Sequence, residues 1–332
     1  MQRLFFHFIF IAVAGYIIFT TVQFRNAFVA AQNQASQSHN QYLELQKALR
    51  SRPQKLLFVG DIMLDRGVRE RIEAAQDPPF PFLFVRDTLR QADIAFANLE
   101  GPITDRGVRS GSIYSFRFEP VGTVNALADA GFDILSLANN HILDYDGTGL
   151  ADTLSILSKN GLSGVGAGKN YTEANTPIFI TRGDARYAFL AYTNLYPESL
   201  EAGETLGVSD FGNAEHAIRD AREAADIVIV SLHWGEEYRS VSNEYQRSIA
   251  HAFIDAGADL IVGHHPHVAQ ELERYRGGYI AYSLGNFVFD QAFSEETRRG
   301  AMLEVIVQKN QIESARLIPI SISSEFQPDF EH

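Results

Sequence analysis

The sequence predicts an α/β protein, a layered sheet carried behind a single apolar helix at the N-terminus. Three observations lead there. After Pro53, short apolar runs of strand length alternate with amphipathic stretches of helical length. Polar side chains able to bind a metal follow directly on the ends of those runs. Leu4 to Val22 contains no Lys, Arg, Asp or Glu and, at helical rise, spans roughly 28 Å, about one hydrocarbon core.

The N-terminal run is preceded by Arg3 and followed by Arg25, a weak inside-positive signal. Residues 1–25 are expected to be an uncleaved transmembrane signal-anchor. A cleaved signal peptide, with Val29, Ala30 and Ala31 near the cleavage site, is the competing reading. A buried core helix fits poorly, because a polar spacer follows. That spacer, residues 26–54, is rich in Gln, Asn and Ser and is expected to be a stalk, with a short helix over Gln41–Leu49.

Within the third region, 55–325, Lys55–Val59 and Ile94–Ala97 are expected to be strands, followed by a helix over Glu119–Ala130 and a strand over Ile134–Leu137. Gly147–Lys159 fits a helix, and Ile178–Thr181 with Tyr187–Tyr192 a β-hairpin. Helices over Asn213–Ala225 and Asn243–Ala256 are each followed by a strand, Ile227–Leu232 and Leu260–Val262. Further strands are expected near Tyr279–Ser283, Ala301–Val307 and Ile312–Pro319.

Composition narrows the function classes. The 332 residues carry a formal charge of −13, from 28 basic and 41 acidic side chains. No basic surplus exists to neutralise phosphates, so nucleic acid is not an expected partner. The chain has no cysteine, which removes a disulfide framework, a thiolate metal site and a cysteine nucleophile.

Asp61, Glu100, Asn140, His141, His233, His265 and His267 all fall just after apolar runs. In open α/β sheets, that is where ligands bind. Of ten histidines, five (His141, His233, His264, His265 and His267) stand at expected strand ends. Imidazole, carboxylate and amide oxygen together suit one or two divalent ions such as Mn, Fe or Zn. His265-Pro266-His267 places two imidazoles at i and i+2, on one side of an extended segment.

Several of these residues also have a plainer reading, whereas Asn139-Asn140-His141, directly after a buried-looking strand, needs hydrogen-bond partners or a metal. Asp61 alone is better explained as the N-cap of the helix that follows, and Glu100 as a surface carboxylate at a turn. His233 next to the only tryptophan, Trp234, fits a packing corner as well as a ligand. Arg66 would hold an anion bidentately or pair with a surface carboxylate. His39, His216, His251 and His332 are expected to lie on the surface.

Six segments in order carry a family resemblance: Gly60–Arg66, Ala97–Glu100, Ala138–Asp144, His233–Tyr238, Gly263–Val268 and Ser283–Gln291. Together they resemble the CapA family of poly-γ-glutamate capsule synthesis, within the calcineurin-like metallophosphoesterases. The resemblance implies a four-layer sandwich, two mixed β-sheets flanked by helices, with a two-metal centre. It implies Asp61 and His267 on a first metal, Asn140, His233 and His265 on a second, and Glu100 bridging. His141 would be the acid, with Arg66 and Asp144 beside it in the catalytic group. Glu237, Asn286 and Asp290 would line the site. The superfamily's Asp-x-His becomes Asp61-Ile62-Met63, which leaves the first metal with few protein ligands.

The resemblance further implies an extracytoplasmic hydrolase or transferase at the cell membrane, acting on a phosphoester or anionic polymer beside membrane-bound synthase subunits. A non-catalytic component that binds metal or polymer is the alternative.

Overall fold

The computed structural model describes residues 2–195 and 207–331, with side chains omitted at residues 2–6 and 49. Met1–Arg52 and Pro53–His332 are two separate compact units. The first is one helix, α1 (Gln2–Ser51), in which a stretch within His7–Ala48 is long and apolar enough to cross a membrane. The segment read as a stalk is therefore helical through Ser51, not only over Gln41–Leu49. Its Gln-, Ala- and Leu-containing sequence has adequate helix propensity and no Pro or Gly to stop it before Pro53.

Eight described strands make the first sheet of the second unit. Its order is β16 (Pro328–Phe330), β15 (Gln311–Ile322), β14 (Arg299–Gln308), β1 (Gln54–Ile62), β2 (Ile94–Leu99), β3 (Ile134–Ser136) and β4 (Ser163–Val165), with β13 (Asn286–Val288) also on β1. The strands β1 to β4 run parallel, and β14 closes antiparallel on β1. The second sheet has the order β11 (Leu272–Tyr275), β12 (Gly278–Ala281), β10 (Leu260–His264), β9 (Ile227–His233), β7 (Ala185–Thr193) and β6 (Ile178–Arg182). A two-stranded ribbon, β5 (Ala167–Gly168) and β8 (Gly207–Val208), stands apart.

The helices are α2 (Arg66–Ala75), α3 (Arg86–Arg90), α4 (Pro120–Ala130), α5 (Asp146–Lys159), α6 (Tyr171–Ala174), α7 (Ala214–Ala224) and α8 (Glu244–Ala256). Two cores result. Phe58 and Phe96 of the first sheet meet Phe189, Ile229 and Val262 of the second, with the Phe96 and Phe189 rings stacked 6.0 Å apart. On the other face of the second sheet, Ala188, Val230 and Ile261 pack under Ile218 of α7 and Phe253 of α8. Strands buried on both faces explain why the sequence reads there as continuous apolar runs rather than alternation.

In the second unit, the helices expected over Glu119–Ala130, Gly147–Lys159, Asn213–Ala225 and Asn243–Ala256 and the hairpin form, with ends shifted by a residue or two. Glu119 and Asn243, expected inside their helices, are N-caps instead. Asp61 is not a cap. It lies inside β1, which runs on to Ile62, and the cap of α2 is Asp65.

Candidate metal centre

The parallel strands of both sheets deliver their C-terminal ends to one place. Two glycines permit this. A Cβ on Gly60 would lie 1.9 Å from the Gly285 carbonyl oxygen, and one on Gly263 would lie 1.8 Å from that of Tyr282. Only glycine allows β1 and β10 such close neighbours. A register shift after Phe58 then turns Asp61 toward Asn98 of β2 and Asn286 of β13.

Asp61 is fully buried and collects several donors. Asn98 Nδ2 lies 2.9 Å and His264 Nδ1 3.3 Å from Oδ1; the His265 backbone N–H and His267 Nδ1 each lie 3.3 Å from Oδ2. Glu100 is also fully buried, which overturns its reading as a surface carboxylate. Its Oε2 accepts from Asn98 at 3.3 Å, whereas Oε1 has no hydrogen-bond partner among the described residues and lies 3.6 Å from His267 Nε2. His267 turns its other nitrogen to Asn286 Oδ1 at 3.0 Å, which makes Nε2, facing Glu100, the nitrogen able to ligate an ion once it has lost its proton.

On the opposite side, His233 Nε2 lies 2.8 Å from Asn140 Oδ1, and its ring is 4.9 Å from that of His265. His265 Nδ1 is buried without a partner among the described residues. Trp234 fulfils the packing reading: its indole N–H donates to the Tyr282 carbonyl at 3.0 Å, while His233 faces the site. His265-Pro266-His267 is not extended as expected. His265 and His267 have φ of 95° and 57°, a turn that non-glycine residues adopt at a cost.

Protonation follows from these contacts. Burial opposes charge on Asp61, but the His264 and His267 imidazoles hold its carboxyl well below the usual range. Burial and the neighbouring Asp61 push Glu100 well above it. Burial would lower His267, yet Glu100 and Asp61 outweigh it and push it up to about 9. Burial and the nearby His267 lower His265 to about 3; burial and His265 likewise lower His233.

The donor set fits a divalent ion. Asp61, Glu100 and His267 each present a ligand atom within 4.8 Å of the others, as do Glu237, His265 and His267. The unpartnered Glu100 Oε1 and His265 Nδ1 are the kind of buried polar atoms a metal satisfies. Hard and borderline donors without sulfur exclude a soft-metal preference. Met63 is turned away, its Sδ accepting the Asp65 backbone N–H at 3.1 Å.

A cleft of about 790 Å³ opens on this cluster. His141 stands in its wall, Nδ1 at 2.8 Å from Asp144 Oδ2, and the Phe116 backbone N–H also donates to Asp144. Arg66 pairs with Asp290, Nε at 3.1 Å and Nη2 closer, and its guanidinium lies over the Phe116 and Phe289 rings. Its pairing reading is therefore met by a residue of the cleft itself. Glu237 and Asn140 also line the opening, and Tyr114, Tyr238 and Phe293 form exposed aromatic lips. Sequence reasoning gives no separate role to Asn98, His264 or these aromatics, although Asn98, His264 and Tyr238 stand in the segments Ala97–Glu100, Gly263–Val268 and His233–Tyr238. Of the histidines expected on the surface, His39 and His216 are exposed, whereas His251 is half-buried between Glu273 and the Tyr275 ring; His332 lies outside the described residues.

Two sheets back to back, helices outside and this cluster at the strand ends define a calcineurin-like metallophosphoesterase fold with a site able to hold a metal. Residues 55–291 match the family described as "Bacterial capsule synthesis protein PGA_cap", and the chain belongs to that family. It is 37% identical to the PGA biosynthesis protein CapA of Bacillus subtilis over 270 residues, covering 80% of this chain and 70% of that protein. It is 33% identical to the capsule biosynthesis protein CapA of Bacillus anthracis, covering 80% and 67%. Among solved structures, a hypothetical protein from Thermus thermophilus superposes with a TM-score of 0.50 at 17% identity, over 80% of this chain and 98% of that one. That likeness concerns the fold alone.

Proposed function

We propose that this protein is a membrane-anchored, metal-dependent hydrolase or transferase of poly-γ-glutamate capsule synthesis, with its second unit outside the cytoplasm. The observation that carries the catalytic reading is the buried Asp61–Glu100–His267 cluster, with Glu100 Oε1 unpartnered among the described residues, whose His267 lines a cleft that has His141 in its wall. The polymer context comes from the relatives, whose names concern poly-γ-glutamate and capsule biosynthesis. Residues 1–25 act as the anchor, and residues 26–54 serve as the stalk.

In this reading Asp61 and His267 would hold a first metal, Asn140, His233 and His265 would hold a second, and Glu100 would serve both. Mn, Fe or Zn suits such donors. Bound divalent ions would supply Lewis acidity and neutralise charge on a phosphoester or polymer carboxylate. The chain's own groups do the rest. Asn286 fixes the His267 tautomer through its Nδ1. Asp144 orients His141 through Nδ1, so that Nε2, 4.0 Å from Glu100 Oε1, is the nitrogen that would protonate a leaving group. Arg66, steadied by Asp290 and two aromatic faces, offers its remaining N–H groups to an anion at the cleft mouth. Replacing His141 by Ala should abolish turnover of phosphoester or glutamyl substrates without lowering the melting temperature; unchanged turnover would remove His141 from the mechanism.

A second reading rests on Met63, which stands where an imidazole would complete the first metal site and is turned to Asp65. A site short of that ligand suits a non-catalytic component that binds metal or polymer beside membrane-bound synthase subunits. A pull-down in which the Asp61/His265 double variant still captures those subunits would favour it.

A further inference from the structure

His264 has no role in the centre described above, yet it lies inside it. It ends β10, in register with His233 on β9. Its side chain is fully buried, and its ring stacks on Phe96 at 6.4 Å with the planes 27° apart. Among the described residues neither ring nitrogen makes a well-formed hydrogen bond, and Asp61 Oδ1 lies 3.3 Å from Nδ1. An imidazole in an apolar core loses its hydration at both nitrogens, so a plain packing role would suit Leu or Phe better.

Its position also separates it from the metal ligands. The donor groups that close to within 4.8 Å are Asp61–Glu100–His267 and Glu237–His265–His267, and His264 belongs to neither. Its Nδ1 lies 3.3 Å from the same Asp61 oxygen that Asn98 also holds. The other oxygen, Oδ2, accepts the His265 backbone N–H at 3.3 Å and lies 3.3 Å from His267 Nδ1.

We propose that His264 is a positioning residue for the metal centre. Its Nδ1–H, with Asn98, clamps Asp61 Oδ1, so that Oδ2 is presented to the ion together with His267 and Glu100. It thereby supports, from behind, a first metal site that has Met63 where the superfamily has a ligand. The inference rests on the metal-centre reading above and adds a residue which that reading leaves idle. Supporting groups of this kind typically change metal affinity about 10- to 100-fold.

The test uses the full-length protein in detergent, stripped of metal and titrated with Mn²⁺ alone. His264→Phe keeps the ring on Phe96 and removes Nδ1. His264→Asn removes the ring and returns an N–H donor near the Nδ1 position. Melting temperatures of the metal-free proteins are measured beside the titrations. The expected result is that Phe weakens the tightest Mn²⁺ site about 10- to 100-fold at little cost in metal-free melting temperature, whereas Asn retains most of the affinity. Wild-type affinity in the Phe variant overturns the positioning role while leaving the metal centre standing. Should the Phe variant not fold, a folded Asn variant that has lost Mn²⁺ affinity overturns it equally. No Mn²⁺ binding by the wild type removes the metal centre and this inference together.

Discussion

Removing metal should leave a domain whose stability is greatest near pH 6 and falls on both sides, because two buried histidines are displaced in opposite directions. His267, raised to about 9 in the folded chain, keeps a proton that the unfolded chain releases above about 6.5. Its contribution is whole below that value and lost as pH rises through about 9. A displacement of about 2.5 pH units at about 1.4 kcal/mol each amounts to ~3 kcal/mol. Glu100, raised by burial and by Asp61, adds to the alkaline loss. His265, lowered to about 3, stays neutral when folded while the unfolded chain gains a proton below about 6.5. Stability therefore falls as pH drops toward 3, by ~5 kcal/mol if this site acted alone. Saturating Mn²⁺ should flatten or invert the alkaline limb, because ligation requires His267 and Glu100 without their protons. The assay is urea unfolding followed by fluorescence of Trp234, the only tryptophan, which is fully buried. Metal-free stability that is flat or rising from pH 6.5 to 9 would refute the assigned proton on His267.

Three further outcomes are expected. Asn286→Ala should weaken Mn²⁺ binding about 10- to 100-fold by freeing the His267 ring, read by titration against wild type. Gly263→Ala should destabilise the fold by ~3 kcal/mol or more, since its Cβ would meet the Tyr282 carbonyl at 1.8 Å; a melting curve like that of wild type would contradict the close approach. Arg66→Ala should raise KM for an anionic substrate far more than it lowers kcat, and equal loss in both would place Arg66 in the chemical step instead.

Much of the site could be read in the sequence because strand ends mark it. Asp61, Glu100, Asn140, His233, His265 and His267 each follow an apolar run, and parallel strands bring such ends together. What escaped depends on distance or on context. Arg66 and Asp290 are 224 residues apart, and nothing local announces their pairing. Asp61 resembled a helix cap because Asp65, four residues on, carries the cap after a strand that runs longer than its apolar core. His264 was grouped with its neighbours, since spacing cannot distinguish an imidazole that faces a metal from one that faces a carboxylate. The His265–His267 turn was misjudged for a similar reason: positive φ at a histidine is imposed by tertiary surroundings rather than by local preference.

The central claim is that this cluster binds metal, and elemental analysis tests it most directly. Detergent-solubilised full-length protein, wild type beside His265→Ala, would be assayed for Mn, Fe and Zn as purified and after incubation with added Mn and Zn. One or two ions per chain, reduced in the variant, is the expected result. No metal in either protein after incubation would contradict it and leave the non-catalytic reading in its place.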